Sequence, residues 1–188
     1  LRFGRFDEIA AVDKRPEREV PAGLWDFAQG YAKLRAGELD FARLYLSRVQ
    51  KAASTSKQSF RAHEAAKLLG IAGNILEGEI ARYLGDKTTA LAKFEEAVKL
   101  DDSLEYDEPE PLPFDARHWL GAMQLEAGMA AEAEATYLKE LVEHPHNGWS
   151  LLGLQQALEA QGKPTTDVDA RLEKAWARSD TWIRASRF

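Results

Sequence analysis

The feature that most constrains the fold of this chain is a glycine-marked bend that recurs four times between amphipathic stretches. The bends read Ala-Gly-Glu, Leu-Gly-Asp, Ala-Gly-Met and Gln-Gly-Lys, and their glycines are Gly37, Gly85, Gly128 and Gly162. Glycine ends a helix in the left-handed conformation, which other residues resist. The recurrence predicts an all-α chain of helix hairpins. These hairpins must stack, because one helix pair cannot bury its apolar face alone.

Small and large residues recur at fixed positions around these bends. In the second hairpin Gly78 precedes Gly85 by seven residues, and Ala90, Phe94 and Ala97 follow it. A small residue lets two helices approach closely, and a large one fills the gap to the next hairpin. The matching residues are Gly30, Ala42 and Leu46 in the first hairpin, Gly121, Ala133, Tyr137 and Pro145 in the third, and Leu154, Val168, Leu172 and Ala175 in the fourth.

This pattern resembles the tetratricopeptide repeat, whose period of 34 residues equals the last of the three glycine spacings of 48, 43 and 34 residues. The resemblance implies a right-handed superhelical array of hairpins, an α-α superhelix, that forms one domain over residues 1–188. Asp102 stands where the second unit should close with a proline. The expected parts are a partial repeat at 1–20, units at about 23–56, 58–104, 114–147 and 148–180, and a capping tail at 181–188.

Four further segments resemble the C-terminal part of larger bacterial tetratricopeptide repeat proteins. They are Arg2–Glu8, Tyr106–Pro109, His146–Leu151 and Ser186–Phe188. The Gly4 segment reads as a repeat turn followed by the second helix of a hairpin. We therefore expect the sequence to start inside a repeat.

Two insertions and a tail separate the expected helices. Pro109, Pro111 and Pro113 cannot donate main-chain hydrogen bonds, so residues 102–113 are predicted to form a non-helical, acidic loop. Residues 54–70 are expected to lengthen the following helix. Trp182, Ile183 and Phe188 are expected to fold back onto the last helix as a cap. The predicted helices are 4–12, 22–36, 39–53, 58–84, 87–100, 114–127, 130–143, 148–161 and 166–178.

Composition argues against several classes of protein. The formal net charge is -6 and no block of five basic residues occurs, which argues against nucleic-acid binding. The absence of cysteine excludes disulfides and thiol chemistry. No apolar run reaches the roughly 20 residues that a membrane-spanning helix needs. We expect a cytoplasmic protein that does not bind membranes.

Catalytic motifs are incomplete in this sequence. His63-Glu64 matches the first half of the zinc-protease motif, but Lys67 stands where the second histidine is required. No glycine-rich phosphate loop and no Ser–His–Asp arrangement is present. The sequence therefore predicts a protein that is not an enzyme and has no cofactor.

The remaining histidines allow one alternative. His144 and His146 flank a proline in the loop between the last two hairpins, and His118 can lie near them. Zinc requires three or four ligands, and two histidines without a clear further ligand fall short. We expect instead a loop in which His146 or Asn147 caps the helix that starts near Gly148.

The resemblance places the first helix of each hairpin on the concave face of the array, where partners bind. Aromatic residues and arginine commonly anchor protein interfaces, although Phe27 and Trp149 suit burial between hairpins equally well. The lysines and asparagines that clamp a peptide carboxylate in some repeats are absent. Fixed offsets from the turn glycines put Phe27, Tyr31, Arg35, Glu79, Arg82, Tyr83, His118, Trp149 and Gln156 in this groove.

These observations predict a non-catalytic scaffold that holds a protein or peptide in its groove, and exposed repeat ends can support self-association. Two alternatives stay open. The chain can be structural support for a functional region that precedes it. It can also be a weak metal or small-ligand module that uses His118, His144 and His146.

Overall fold

A computed structural model describes residues 1–187, and within that range the chain is mostly helical. The all-α class predicted from the sequence is confirmed. The elements are α1 (Phe6–Ala10), α2 (Glu19–Arg35), α3 (Leu39–Thr55), β1 (Ser59–Phe60), β2 (His63–Glu64), α4 (Ala65–Tyr83), α5 (Lys87–Asp101), α6 (Arg117–Glu126), α7 (Ala130–Glu143), α8 (Gly148–Ala160) and α9 (Thr166–Trp176).

The four predicted glycine bends are confirmed, and all four have the same main-chain geometry. Gly37 has a φ of 79°. Its amide donates to the carbonyl of Leu34 at 3.0 Å, and the amide of Glu38 donates to the carbonyl of Lys33 at 2.9 Å. This pair of bonds satisfies carbonyls that the end of a helix leaves open. The same pair, at 2.8–3.0 Å, occurs at Gly85, Gly128 and Gly162, whose φ angles are 82°, 79° and 66°.

The turn at the start of the chain has a related form. Gly4 has a φ of 67°, and α1 begins two residues later at Phe6. The second helices of the first three hairpins also begin two residues after their glycines. In the last hairpin α9 begins at Thr166, four residues after Gly162, where the sequence carries an extra proline.

The chain divides into two compact units. The first contains Leu1 and Arg5–Ala116, and the second contains Arg2–Gly4 and the residues from Arg117 onward. In the first unit α2 packs on α3 and α4, and α4 packs on α5. Close contact between helices requires glycine at Gly78, where an added Cβ would lie 2.5 Å from the ring of Phe94.

A short β-hairpin replaces the start of a predicted helix in the first unit. Residues 58–64 were expected to be helical, and this prediction is wrong, because Ser59–Phe60 pairs with His63–Glu64 as two antiparallel strands. Arg61 at the hairpin tip has a φ of 56°. The helix then starts at Ala65.

Contacts with the acidic loop explain why the hairpin forms. The Arg61 guanidinium donates to the main-chain oxygen of Pro109 at 2.6 Å and pairs with the carboxylate of Asp107. The buried His63 places Nε2 3.2 Å from the other oxygen of Asp107. A helix over residues 58–64 would not hold Arg61 and His63 against one carboxylate. Residues 102–113 contain no helix, as predicted.

In the second unit the helices pack around Tyr137, which is fully buried. A Cβ added at Gly121 on α6 would lie 2.4 Å from the Tyr137 ring, and one added at Gly153 on α8 would lie 2.1 Å from it. Two glycines thus let the ring of one α7 residue pass between α6 and α8. The surrounding core contains Ala133, Leu141, Leu151, Leu154, Ala157 and Val168.

None of the helices within residues 1–187 has the length and apolar character needed to span a bilayer.

Candidate functional site

The six predicted groove residues of the first unit divide into buried and accessible sets. Phe27, Tyr31 and Glu79 are buried, so they are not available to a partner. Tyr31 stacks on Phe6 of α1 with a centroid distance of 5.9 Å. Burial of Phe27 and Tyr31 follows from their place at the contact of α2 with its neighbours. The accessible residues of this set are Arg35, Arg82 and Tyr83.

Arg82 is held by the buried carboxylate of Glu79. The Arg82 Nη2 and Nε atoms donate to Glu79 Oε2 at 3.0 and 3.1 Å. The next residue in the chain, Tyr83, is 51% exposed. Together these two residues give the end of α4 an accessible cation and an aromatic ring.

The three predicted groove residues of the second unit all contact terminal segments of the chain. The guanidinium of Arg2 lies 3.9 Å from the centroid of the Trp149 ring. The Gln156 side-chain amide donates to the main-chain oxygen of Arg184 at 2.8 Å. His118 is buried, but its main-chain oxygen accepts a hydrogen bond from Ser186 at 2.6 Å. Non-helical terminal segments of the chain thus already contact these residues.

The deepest contact of the tail is the hydroxyl of Ser186, whose side chain is fully buried. Its Oγ atom lies 2.7 Å from the Tyr137 hydroxyl and 2.6 Å from the carbonyl oxygen of His118. The carbonyl can only accept, so Ser186 donates to His118 and Tyr137 donates to Ser186. Burial raises the pKa of Tyr137 well above its ordinary value, which keeps this donor protonated.

An ion pair completes the contact one residue later. The Arg187 side chain is 9% exposed and pairs with the carboxylate of Glu126 on α6. We call the combination of Glu126, Tyr137, Gln156 and the main-chain oxygen of His118 the tail site. The site presents an amide donor, a hydroxyl donor, a carbonyl acceptor and an anion to residues 184–187.

A buried polar cluster shares His118 with the tail site. Asn147 Nδ2 donates to Glu140 Oε1 at 2.7 Å and to His118 Nε2 at 3.2 Å. His144 Nδ1 lies 2.9 Å from the same oxygen of Glu140. Asn147 Oδ1 also accepts from the amide of Trp149 at 3.1 Å, so Asn147 caps α8 as the sequence predicted. One asparagine therefore joins the helix start to both buried groups.

The cluster occupies positions that are apolar in the other hairpins. His118 lies ten residues before its turn glycine, and Glu140 lies twelve residues after it. Both are at most 1% exposed. A buried carboxylate and imidazole require hydrogen-bond partners, which Asn147 supplies. The counterparts in the first and second hairpins are Phe27 and Ile75 for His118, and Val49 and Ala97 for Glu140.

The electrostatics of His118 follow from its burial. Desolvation, with smaller contributions from Arg2 and His144, lowers the pKa of His118 to about 3. The imidazole is therefore neutral near pH 7. Its Nε2 atom accepts a hydrogen bond from the Asn147 amide, which places the imidazole hydrogen on Nδ1.

Of the three histidines in the predicted metal site, His118 and His144 lie near each other. Glu140 Oε1 is 3.9 Å from His118 Nε2 and 2.9 Å from His144 Nδ1. His146 is exposed and takes no part in this cluster. The Asn147 amide nitrogen lies between the first two ligand atoms, so an ion there requires this side chain to move.

The C-terminal tail is held differently from the predicted cap. Trp182 is 96% exposed and does not pack as expected, because the tail is fixed through Ser186 and Arg187 instead. Ile183 is half-buried and lines an open cleft of about 480 Å³ with Leu152. The predicted contact of Phe188 lies outside the described residues.

Sequence reasoning missed three members of these sites. Glu140 was available from the repeat register, since it stands where other hairpins carry small or branched apolar residues. Tyr137 was treated only as a core residue, although its hydroxyl differs from the Phe94 ring at the same offset. Ser186 was singled out only as part of the segment Ser186–Phe188, and nothing indicated its contacts, because a tail has no register with the repeats.

Comparison of the sequence with descriptions of known protein families gives no match, and comparison with curated proteins gives none either.

Proposed function

We propose that this chain is an array of tetratricopeptide-type hairpins, a right-handed α-α superhelix, that binds an extended peptide segment of a partner protein. Binding occurs on the surface formed by the first helices of the hairpins and involves no catalysis. The four glycine turns with one shared pair of main-chain bonds support the repeat assignment. The cytoplasmic location and the bacterial origin stay predictions.

The single observation that carries the binding function is the tail site. A segment of the chain lies across α6 and α8 and is held by a main-chain contact, a buried hydroxyl and an ion pair. Main-chain contacts combined with a few side-chain contacts are the usual way in which a protein surface holds an extended peptide. Trp149, which is partly exposed in the same unit, adds a residue type that anchors interfaces.

Selection from a random peptide library on the immobilised full-length protein tests this function. We expect enriched peptides whose affinity, measured by calorimetry, falls at least tenfold in Trp149→Ala and Gln156→Ala. Val142→Lys is the matched control, because Val142 lies on α7 and is 79% exposed. Failure to enrich any peptide, or equal affinity in all variants, would contradict a peptide-binding function.

The buried cluster favours a second candidate, a weak metal site. His118, Glu140 and His144 supply two imidazoles and a carboxylate, which zinc accepts as ligands. Titration with zinc chloride distinguishes the two functions. A metal module predicts one bound ion per chain that His144→Gln abolishes, whereas a peptide-binding module predicts no stoichiometric uptake.

A further inference from the structure

The tail site selects its occupant through the fit of two consecutive residues. The Ser186 side chain is fully buried against Tyr137, so the space accepts a residue of about that size. The next residue, Arg187, leaves this space and meets a carboxylate of α6. The spacing between the Tyr137 hydroxyl and the Glu126 carboxylate therefore corresponds to two neighbouring residues of the bound segment.

The hydroxyl group of the occupant is specifically required. Tyr137 passes between Gly121 and Gly153, and its hydroxyl is buried at the floor of the site. If alanine replaced Ser186, the donor of Tyr137 would lose its acceptor and the carbonyl of His118 would lose a donor. A buried donor without an acceptor is strongly unfavourable, and recognition sites use this penalty to reject residues that lack the group.

The position two residues before the hydroxyl residue is contacted through its main chain. Gln156 donates to the carbonyl oxygen of Arg184, and the Arg184 side chain is exposed. Every residue type carries this carbonyl. The site therefore discriminates at two positions and tolerates variation at the positions before them.

We propose that the tail site is a recognition site for a partner segment in which a small hydroxyl residue is directly followed by arginine, and that residues 184–187 occupy it until such a segment replaces them. This inference rests on the proposed function and names the class of peptide that the second unit takes. The charge of the site suits the ligand, because Glu126 is the side chain that meets the arginine and the whole chain has a net charge of -6.

A labelled peptide with the sequence of residues 180–187 tests the proposal by fluorescence anisotropy on the full-length protein. In the wild type the tethered tail competes, so we expect weak binding. In Arg187→Glu the tail is repelled by Glu126, and we expect the peptide to bind at least tenfold more tightly. A peptide with alanine in place of its serine should lose at least tenfold in affinity. Equal binding of the peptide to both proteins, or of both peptides to Arg187→Glu, would overturn the proposal.

A reversed charge pair keeps the test decisive if Arg187→Glu folds poorly. The Glu126→Arg protein should prefer a peptide with glutamate in place of its final arginine, and should bind the original peptide at least tenfold more weakly. No change in preference overturns the assignment of Glu126. Concentration-dependent dimers of the wild type that Arg187→Glu abolishes would identify a second copy as the occupant and would overturn the partner-peptide proposal.

If Glu126→Arg does not change which peptide is preferred, but the affinity of the library peptides still falls in Trp149→Ala, the recognition proposal is wrong and the proposed function is supported. Conversely, failure of the library selection together with a clear charge preference would show that the tail site binds only the tail of this protein. The two proposals can therefore be contradicted independently.

Discussion

The imidazole of His118 and the carboxylate of Glu140 lie 3.9 Å apart, inside a hairpin whose counterparts carry apolar residues at both positions. The side-chain amide of Asn147 joins them and caps the following helix. A polar pair at this depth is stable only while its hydrogen bonds are complete. The junction between the last two hairpins therefore depends on one asparagine.

Asn147→Ala should strongly destabilise the protein. Loss of a helix cap costs about 1 kcal/mol, and His118 Nε2, left without a donor, costs about 1–3 kcal/mol. Glu140 Oε1 keeps its contact with His144 Nδ1. We expect a total loss of about 2–4 kcal/mol in chemical denaturation. The control is Asp86→Ala, which removes an exposed cap whose carboxylate accepts from the Thr89 amide. A loss in Asn147→Ala no larger than in Asp86→Ala would contradict the network.

Stability should fall on acidification because of His118. The pKa of His118 is lowered from 6.5 to about 3 in the folded protein by burial. Between these two pH values the His118 imidazole binds a proton in the unfolded chain but not in the folded protein. The free energy of unfolding therefore decreases as pH falls from about 6.5 towards about 3. The stability that depends on a neutral His118 is fully present above about pH 6.5.

Denaturation curves between pH 4 and 7 check this expectation. His118→Gln should remove about one proton from the pH dependence of the free energy of unfolding, after allowance for its lower stability at pH 7. His146→Gln, which removes an exposed histidine, should retain the wild-type pH dependence. Identical slopes for wild type and His118→Gln would show that the imidazole is not buried as described.

Gly153→Ala should be destabilising even though alanine favours helices. Its Cβ would lie 2.1 Å from the ring of Tyr137, and overpacking of this kind costs about 1–3 kcal/mol. Gly73→Ala is the matched control on α4, because its Cβ would lie 3.5 Å from Val49. There the helix propensity of alanine should raise stability by up to about 1 kcal/mol. Thermal melts of both variants measure the contrast, and similar shifts would refute the close approach at Tyr137.

Asp107→Ala should release the acidic loop without unfolding the helices. Asp107 accepts from Arg61 and contacts His63, and these contacts fix the loop against the β-hairpin. Tyr106 beside it is 88% exposed and is a chymotrypsin target. We expect faster cleavage after Tyr106 in Asp107→Ala, with a nearly unchanged midpoint of global unfolding.

The control for the loop is Glu108→Gln, which changes a side chain that accepts from the Tyr106 hydroxyl at 2.8 Å and lies away from the hairpin contact. Its cleavage rate should stay close to that of the wild type. Equal cleavage of Asp107→Ala and wild type would mean that the loop is held by other contacts.

The turns were predictable from sequence because glycine with a positive φ is a local requirement. Gly85 ends its helix whatever packs around it, and its position follows from the residues on either side. The β-hairpin at residues 59–64 was not predictable in this way. Its cause is Asp107, more than forty residues away, and no pattern within residues 58–64 carries that information.

The candidate site, too, could be predicted from the sequence only in part, because local patterns do not show contacts between distant residues. Trp149 and Gln156 were placed by their offsets from the turn glycines, and both lie against terminal segments of the chain. Phe27 and Tyr31 were predicted for the groove by the same kind of offset, but both are buried. An offset sets the direction in which a side chain leaves its helix, and it does not show which segments cover that side chain. The role of Tyr137 depends on glycines of two other helices, which only the packed structure brings together.

The main-chain contact of Gln156 sets what can change in the segment that lies on it. Residue 184 contacts the site through its carbonyl oxygen, and its side chain is exposed, so the contact does not depend on the residue type at this position. Variation there should accumulate without loss of docking, whereas residues 186 and 187 should resist it. A single tethered segment can thus diversify at one position and stay anchored at two others.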